Sequence, residues 1–255
     1  MSSSPSLASD GRASPLARAA VLAFGTVTYA LSLATFCYLI GWVTGLVVPK
    51  TIDSGAPGPV GASIAVDIGF LALFAVQHTI MARPGFKQRV TRLVPEPIER
   101  SVFVLLTSLI LAAMAWQWRP LPEAVWSVEG PLGAVLLAVS LTGWGIALLA
   151  TFLIDHFHLF GVRQALSFAA GRSQEEPEFR EISLYKVCRH PLMLGLLIAF
   201  WATPSMTVGH LLFAGVTTVY IAAALQIEER TLIAMHGEAY RDYQRRVRML
   251  LPIPR

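Results

Sequence analysis

The chain has 255 residues, of which 55% are apolar and only 14% charged, and its mean hydropathy is +0.58. That balance excludes a soluble domain of this length and points to an integral membrane protein, with the lipid bilayer as its surroundings. The net charge of +4 and pI near 9.3 come without an aromatic-interleaved basic patch, so no nucleic-acid partner is expected.

Residues 1–16 are rich in serine, alanine and proline and lack hydrophobic periodicity, which predicts a disordered tail ahead of a single membrane domain over 17–255. Stretches of about twenty apolar residues predict spans over 19–48, 61–81, 101–118 and 131–154. The first is too long for a signal-peptide core and reads as a retained span. A further pair of arms, 191–202 and 207–226, is joined by Thr203-Pro204-Ser205-Met206, a connection too short for a folded loop. The first arm is marginal as a span. It either extends back through Leu184-Tyr185-Lys186-Val187 or forms a re-entrant hairpin with the second. Beyond it, Leu232, Met235, Tyr240, Tyr243 and Val247 form an apolar stripe among Arg241, Arg245, Arg246 and Arg248, predicting an amphipathic helix lying on the membrane. The expected fold is therefore all-α and polytopic, with about six transmembrane helices, the last two a short hairpin, plus a C-terminal amphipathic helix.

Lysine and arginine concentrate in 83–100, in 163–189 and from Arg230 onward, so these segments and both termini are expected in the cytoplasm. Cys37 and Cys188 lie on the wrong kind of segments for a disulfide and read as free thiols. No internal repeat supports a transporter of the inverted-repeat type.

Polar residues fall into four groups at the expected cytoplasmic side, where they could share one chamber. The first holds Gln77-His78-Thr79 and Arg83. Phe74, His78 and Met81 share a helix face, so His78 points wherever that face packs; such a histidine reads equally as an interhelix hydrogen-bond donor or a working group. The second holds Asp155, His156, His158, Gly161, Arg163 and Gln164. Two histidines two residues apart occupy different helix faces, a poor metal spacing, and no metal is expected. Arg163 turns back over the membrane surface or anchors the chain there. The third is Arg189-His190-Pro191-Leu192-Met193-Leu194-Gly195, and the fourth runs from Glu228-Glu229 to Tyr240 and Tyr243. Charge at the edge of hydrocarbon is costly unless it meets a ligand, water or other charge; the bland alternative is an anchor among headgroups. Pro191 suits a first helical turn, Gly195 permits close approach of a backbone or a ligand, and Arg189 can clamp a carboxylate.

R-H-P-x-x-x-G, an apolar hairpin, E-E, G-x-x-Y-x-x-Y and a closing proline resemble the C-terminal cofactor half of membrane methyltransferases related to isoprenylcysteine carboxyl methyltransferase. H-T-I-M-A-R-P-G-F-K, T-F-L-I-D-H-F-H-L-F-G-V-R-Q and H-P-L-M-L-G-L-L-I-A-F-W-A-T-P-S-M-T-V-G-H bring the chain, from about residue 20 onward, closer to the methanethiol S-methyltransferases, a branch allied to NnrU-type proteins. It departs from the superfamily's tyrosine at Met193 and from the branch's aspartate at His158. The resemblance implies S-adenosyl-L-methionine as cofactor, bound within about 184–255 by Tyr185, Arg189, His190, Pro191, Gly195, Glu228, Glu229, Tyr240 and Tyr243. Arg189 would meet the methionyl carboxylate, Glu228 or Glu229 the ammonium or ribose, and His190 the ribose or adenine. It further implies a small thiol acceptor, methanethiol going to dimethyl sulfide, and no obligate protein partner. An alkyl thiol is mostly protonated at neutral pH, so the acceptor needs a base or a positive field; His78, His156 and His158, or Arg83 and Arg163, are the candidates. Alternatives are a lipid or prenyl-cysteine acceptor, and haem ligation by His78 with His156 or His210.

Overall fold

The computed structural model describes residues 13–173 and 181–252, so most of the expected disordered tail lies outside the described residues. The first helix, α1 (Pro15–Thr44), begins inside that tail because Ser14 caps it: its Oγ accepts from the Ala17 amide at 3.2 Å, and Pro15 sits at the first helical position. Gly45, in the left-handed region at φ 77°, ends it. Both bounds fall about four residues earlier than hydropathy alone suggests.

α2 (Val60–Met81) matches its predicted span, and Arg83 then leads into a short surface helix, α3 (Pro84–Val90). α4 (Glu96–Gln117) starts five residues before the predicted span. Pro97 is tolerated in its first turn, and Glu96 and Glu99 complement the positive end of its dipole. α5 (Gly130–Ile154) is followed by α6 (His156–Leu159) and α7 (Val162–Ala169), then by a 3-10 turn over Ser183–Lys186. That turn, and not an extension of the hairpin, holds Tyr185. α8 (Pro191–Trp201), α9 (Val208–His236) and α10 (Glu238–Arg246) complete the chain.

Among the described residues, five helices, α1, α2, α4, α5 and α9, are long and apolar enough to cross a bilayer. The protein is thus an all-α, integral membrane protein. α8 has 11 residues, about 16 Å at the helical rise, roughly half a bilayer core. It survives as a half-span by packing along α5. At their crossing, a Cβ on Gly143 would lie 2.6 Å from the Ala199 amide, and one on Gly195 2.6 Å from the Ala147 amide. Glycine and alanine four residues apart on each helix let the backbones touch, the small-residue packing of membrane helices.

The short connection before α9 is a strand: β1 (Ala124–Ser127) pairs antiparallel with β2 (Ser205–Thr207). The Trp126 indole donates to the Thr203 carbonyl at 3.1 Å, and Thr207 Oγ1 donates to Asp53 at 2.6 Å. Periodicity gave no sign of this ribbon, because each strand is formed only by the other. Beneath it, Trp42, Trp118 and Phe213 meet edge to face at 5.3–6.0 Å between centroids.

α10 departs from expectation. Its stripe of Tyr240, Tyr243 and Val247 does not face lipid; it is buried against Leu232 and Ile233 at the end of α9. The left-handed turn at Gly237, φ 57°, folds α10 back onto the helix it follows. Cys37 and Cys188 are free thiols.

Candidate active site

The start of α1, the ends of α2, α5 and α9, and the start of α8 gather at one end of the bundle, and the four polar groups come with them. Among the described residues they form distinct clusters at that end.

At the start of α8, Arg189 and Glu229 meet across forty residues of chain. Arg189 Nε donates to Glu229 Oε1 at 2.8 Å and Nη2 to Oε2 at 3.0 Å, a bidentate fork. His190 Nε2 donates to Oε1 at 2.8 Å, Tyr240 Oη to Oε1 at 3.0 Å, and Gln244 Nε2 to Oε2. Five donors saturate a carboxylate with about four lone-pair sites. The remaining Arg189 nitrogen, Nη1, reaches the carbonyls of Val247 and Gln244 at 2.5 and 3.3 Å. Arg189 and Glu229 are both buried. The two charges that the sequence marks as costly are therefore met by each other, not held open for a ligand.

The C-terminal segment locks this cluster. The amides of Arg189 and His190 donate to the carbonyls of Arg248 and Met249 at 3.0 and 3.1 Å, and the Cys188 thiol lies 3.3 Å from the Leu250 carbonyl. Tyr243 Oη donates to the Tyr185 carbonyl at 2.5 Å, while Tyr185 Oη reaches the Ala150 carbonyl at 3.4 Å. Burial pushes the hydroxyls of Tyr185, Tyr240 and Tyr243 well above the usual phenol range and the Cys188 thiol upward too. All four stay protonated and act as donors. Pro191 opens α8 as expected, and Gly195 serves the contact with α5.

Glu228 differs from its neighbour. Its side chain is 49% exposed, and its carboxylate lies 3.8 Å from His190 Nδ1. It is the acid of the pair that the network leaves open.

His156 follows a break after α5 and is buried. Thr151 Oγ1 gives its proton to the Leu148 carbonyl at 2.7 Å and so must accept from His156 Nδ1, also at 2.7 Å. That leaves Nε2 to accept from Tyr29 Oη at 2.9 Å. Burial lowers the pKa of His156, and Phe152 stacks on it at 4.0 Å. A neutral ring with both nitrogens engaged ties α1 to α5 and is not poised as a base. Tyr29, which the sequence reading missed, is the key to that role. Tyr29→Phe is expected to cost about 1 kcal/mol, the net worth of one such bond, read as a fall of a few degrees in the melting temperature of purified protein. Nearby, Arg163 pairs with Asp155, and the His158 backbone amide donates to Asp155 Oδ1 at 3.1 Å. Arg83 is exposed at the entry to α3. Among the described residues, no three histidine, cysteine or acidic side chains converge as metal ligands. His210, hydrogen-bonded to the Phe200 carbonyl at 2.9 Å, lies in the first turn of α9, at the opposite end of the bundle from His156.

His78 lines a cavity of about 170 Å³ between α1, α2 and α4, with Thr35, Phe36, Phe103, Leu111 and Phe160 among its walls. Its ring is held by Phe74 and Phe103, with centroids 5.2 and 5.0 Å away, and its buried Nδ1 has no hydrogen-bond partner. An unpaired buried nitrogen costs roughly 1–3 kcal/mol and calls for a functional reason. Arg100, another residue the sequence reading passed over, lies 4.8 Å over the Phe103 ring and donates to the Leu159 carbonyl at 2.7 Å. In sequence it reads as one more topological charge; in space it brings a cation beside the cavity wall.

No family model matches the chain, and no solved structure matches it. Among curated proteins, it is 50% identical over 236 residues to methanethiol S-methyltransferase 2 of Bradyrhizobium diazoefficiens, covering 92% of this chain and 91% of that one. It is 49% identical over 232 residues to the methanethiol S-methyltransferase of Mycobacterium tuberculosis, covering 91% and 95%. A more distant likeness, 30% over 176 residues, is to Nurim of Xenopus laevis, covering 65% and 61%. With about half its residues shared along nearly its whole length, the chain belongs to the methanethiol S-methyltransferase family.

Proposed function

We propose that this protein transfers a methyl group from S-adenosyl-L-methionine to methanethiol, yielding dimethyl sulfide. The observation that carries the reading is near-full-length identity of 42–50% to proteins named for that activity. The basic segments of the polar end support a cytoplasmic orientation for it and for both termini, the side from which a soluble cofactor would enter.

The donor set fits such a cofactor. Glu228 offers an exposed carboxylate beside His190, suited to an ammonium or to ribose hydroxyls, while Arg189, Glu229, Tyr240 and Gln244 hold that edge of the site in shape. When bound, S-adenosyl-L-methionine supplies an electrophilic sulfonium methyl. The chain's own task is to bring a thiol into line and take its proton. His78 is assigned that proton, because its Nδ1 is unpaired and its ring lines an apolar cavity. Arg100 adds a positive field favouring the thiolate, and the apolar walls give the reacting sulfur a surface of low polarity.

Membranes carrying the protein, supplied with S-adenosyl-L-methionine and methanethiol, are expected to release dimethyl sulfide, measured by headspace gas chromatography. His78→Phe keeps the ring between Phe74 and Phe103 but removes the base, and should lower kcat roughly 10²–10⁴-fold with cofactor affinity unchanged. A His78→Phe enzyme of normal kcat would move the base elsewhere, and absence of product from folded wild-type protein would end the reading.

A further inference from the structure

The His78 cavity is larger than methanethiol needs. Methanethiol has two heavy atoms, whereas the cavity measures about 170 Å³, and an apolar cavity of roughly 150 Å³ in another protein takes up benzene. Its polar lining is largely spent. Thr35 Oγ1 donates to the Leu31 carbonyl at 2.9 Å, Ser108 Oγ to the Val104 carbonyl at 2.9 Å, and Thr107 Oγ1 to the Phe103 carbonyl at 2.9 Å and to Gln77 at 3.2 Å. What faces an occupant is chiefly hydrocarbon and aromatic surface from Phe36, Phe103, Leu111 and Phe160, with the His78 ring in the wall.

We infer that this cavity is an acceptor site for apolar thiols up to the size of a single aromatic ring, and that the protein S-methylates them, converting benzenethiol to methyl phenyl sulfide. The inference rests on the methyltransferase reading above and extends its substrate class. The balance is that of the smaller thiol: the S–H proton leaves to the base, the thiol sulfur forms the new S–CH₃ bond, and the methyl's bond to the sulfonium breaks with its electron pair kept by the departing sulfide. An arenethiol is more acidic than an alkyl thiol, so a larger fraction is already thiolate and less is asked of His78. The same walls select against polar thiols, because Thr35, Thr107 and Ser108 already give their hydroxyl protons to other oxygens, and a hydroxyl placed away from His78 Nδ1 meets mainly hydrocarbon and aromatic surface. 2-Mercaptoethanol should therefore be methylated about tenfold to a hundredfold less efficiently than propane-1-thiol of the same size.

The test supplies S-adenosyl-L-methionine with methanethiol or benzenethiol to membranes carrying the full chain, reads both methyl sulfides by gas chromatography, and measures benzenethiol binding to purified protein by calorimetry. Both sulfides are expected from wild type, with saturable binding. Leu111→Phe and Ser32→Leu, both at residues of the cavity wall, each shrink the cavity and should cut the benzenethiol-to-methanethiol rate ratio at least tenfold and weaken benzenethiol binding in parallel; two sites are used so that one misfolded variant does not decide the matter. Dimethyl sulfide alone, with no benzenethiol binding, overturns the extension and leaves the methanethiol reading standing. Loss of both products overturns both. Methyl phenyl sulfide formed at an unchanged ratio in both folded variants removes the acceptor from this cavity.

Discussion

Glu229→Ala is expected to lose most of the folded protein, while its neighbour Glu228→Gln folds normally. Removing the Glu229 carboxylate strands the buried Arg189 fork and leaves His190, Tyr240 and Gln244 without their shared acceptor. Breaking a buried ion pair from one side costs about 3–5 kcal/mol, and the backbone lock between 189–190 and 248–249 loses its centre. The melting temperature of detergent-purified protein checks this. Arg189→Ala should fall with it, since each partner alone is an uncompensated buried group. Glu228→Gln, by contrast, changes a half-exposed side chain and should leave the melting temperature within about a degree or two, the ordinary range for a surface change, while weakening cofactor binding. A stable Glu229→Ala protein would show that the network is dispensable, and unaltered cofactor affinity in Glu228→Gln would remove that residue from the site.

The second large effect is expected at the α5–α8 crossing. Gly195→Leu places a side chain where even a Cβ lies 2.6 Å from both the Ala147 amide and the Gly143 carbonyl. These are backbone atoms, so the helices must part. Overpacking usually costs about 1–3 kcal/mol; here it also prises off a half-span that has no full membrane crossing of its own, so folded yield should collapse. Gly143→Leu should do the same. Gly145→Leu, two residues along α5 with nothing within 4 Å of its Cβ, is the control and should be neutral or slightly stabilising, since leucine outranks glycine in a helix by up to about 1 kcal/mol. Size-exclusion profiles of the three variants discriminate the cases; a monodisperse Gly195→Leu protein would refute the close crossing.

These two predictions mark where sequence reading stops. It singled out Gly195 as a site of close approach, with backbone or ligand left open; the structure identifies the partner as α5. Ligand, water or other charge would each satisfy Arg189, and only the folded chain shows Glu229 as its partner. Tyr29, Gln244 and Arg100 carry no motif, and their roles arise from neighbours 127, 15 and 59 residues away. The stripe on α10 was correctly read as apolar, but periodicity says only that a face must be covered and not by what; α9 covers it in place of lipid.

Hydropathy by itself determined the membrane class, the location of the five crossing helices, with the end of α9 ten residues beyond its predicted arm, and the marginal length of α8, because burial in hydrocarbon is a local property of some twenty residues. Motif spacing was enough to name the family. Tertiary structure alone decided which charges neutralise each other, which histidine is tied down and which lines a cavity, and which strand completes the ribbon. Those outcomes depend on pairings between segments far apart in sequence, where a hydrogen bond or a void exists only once both walls are in place.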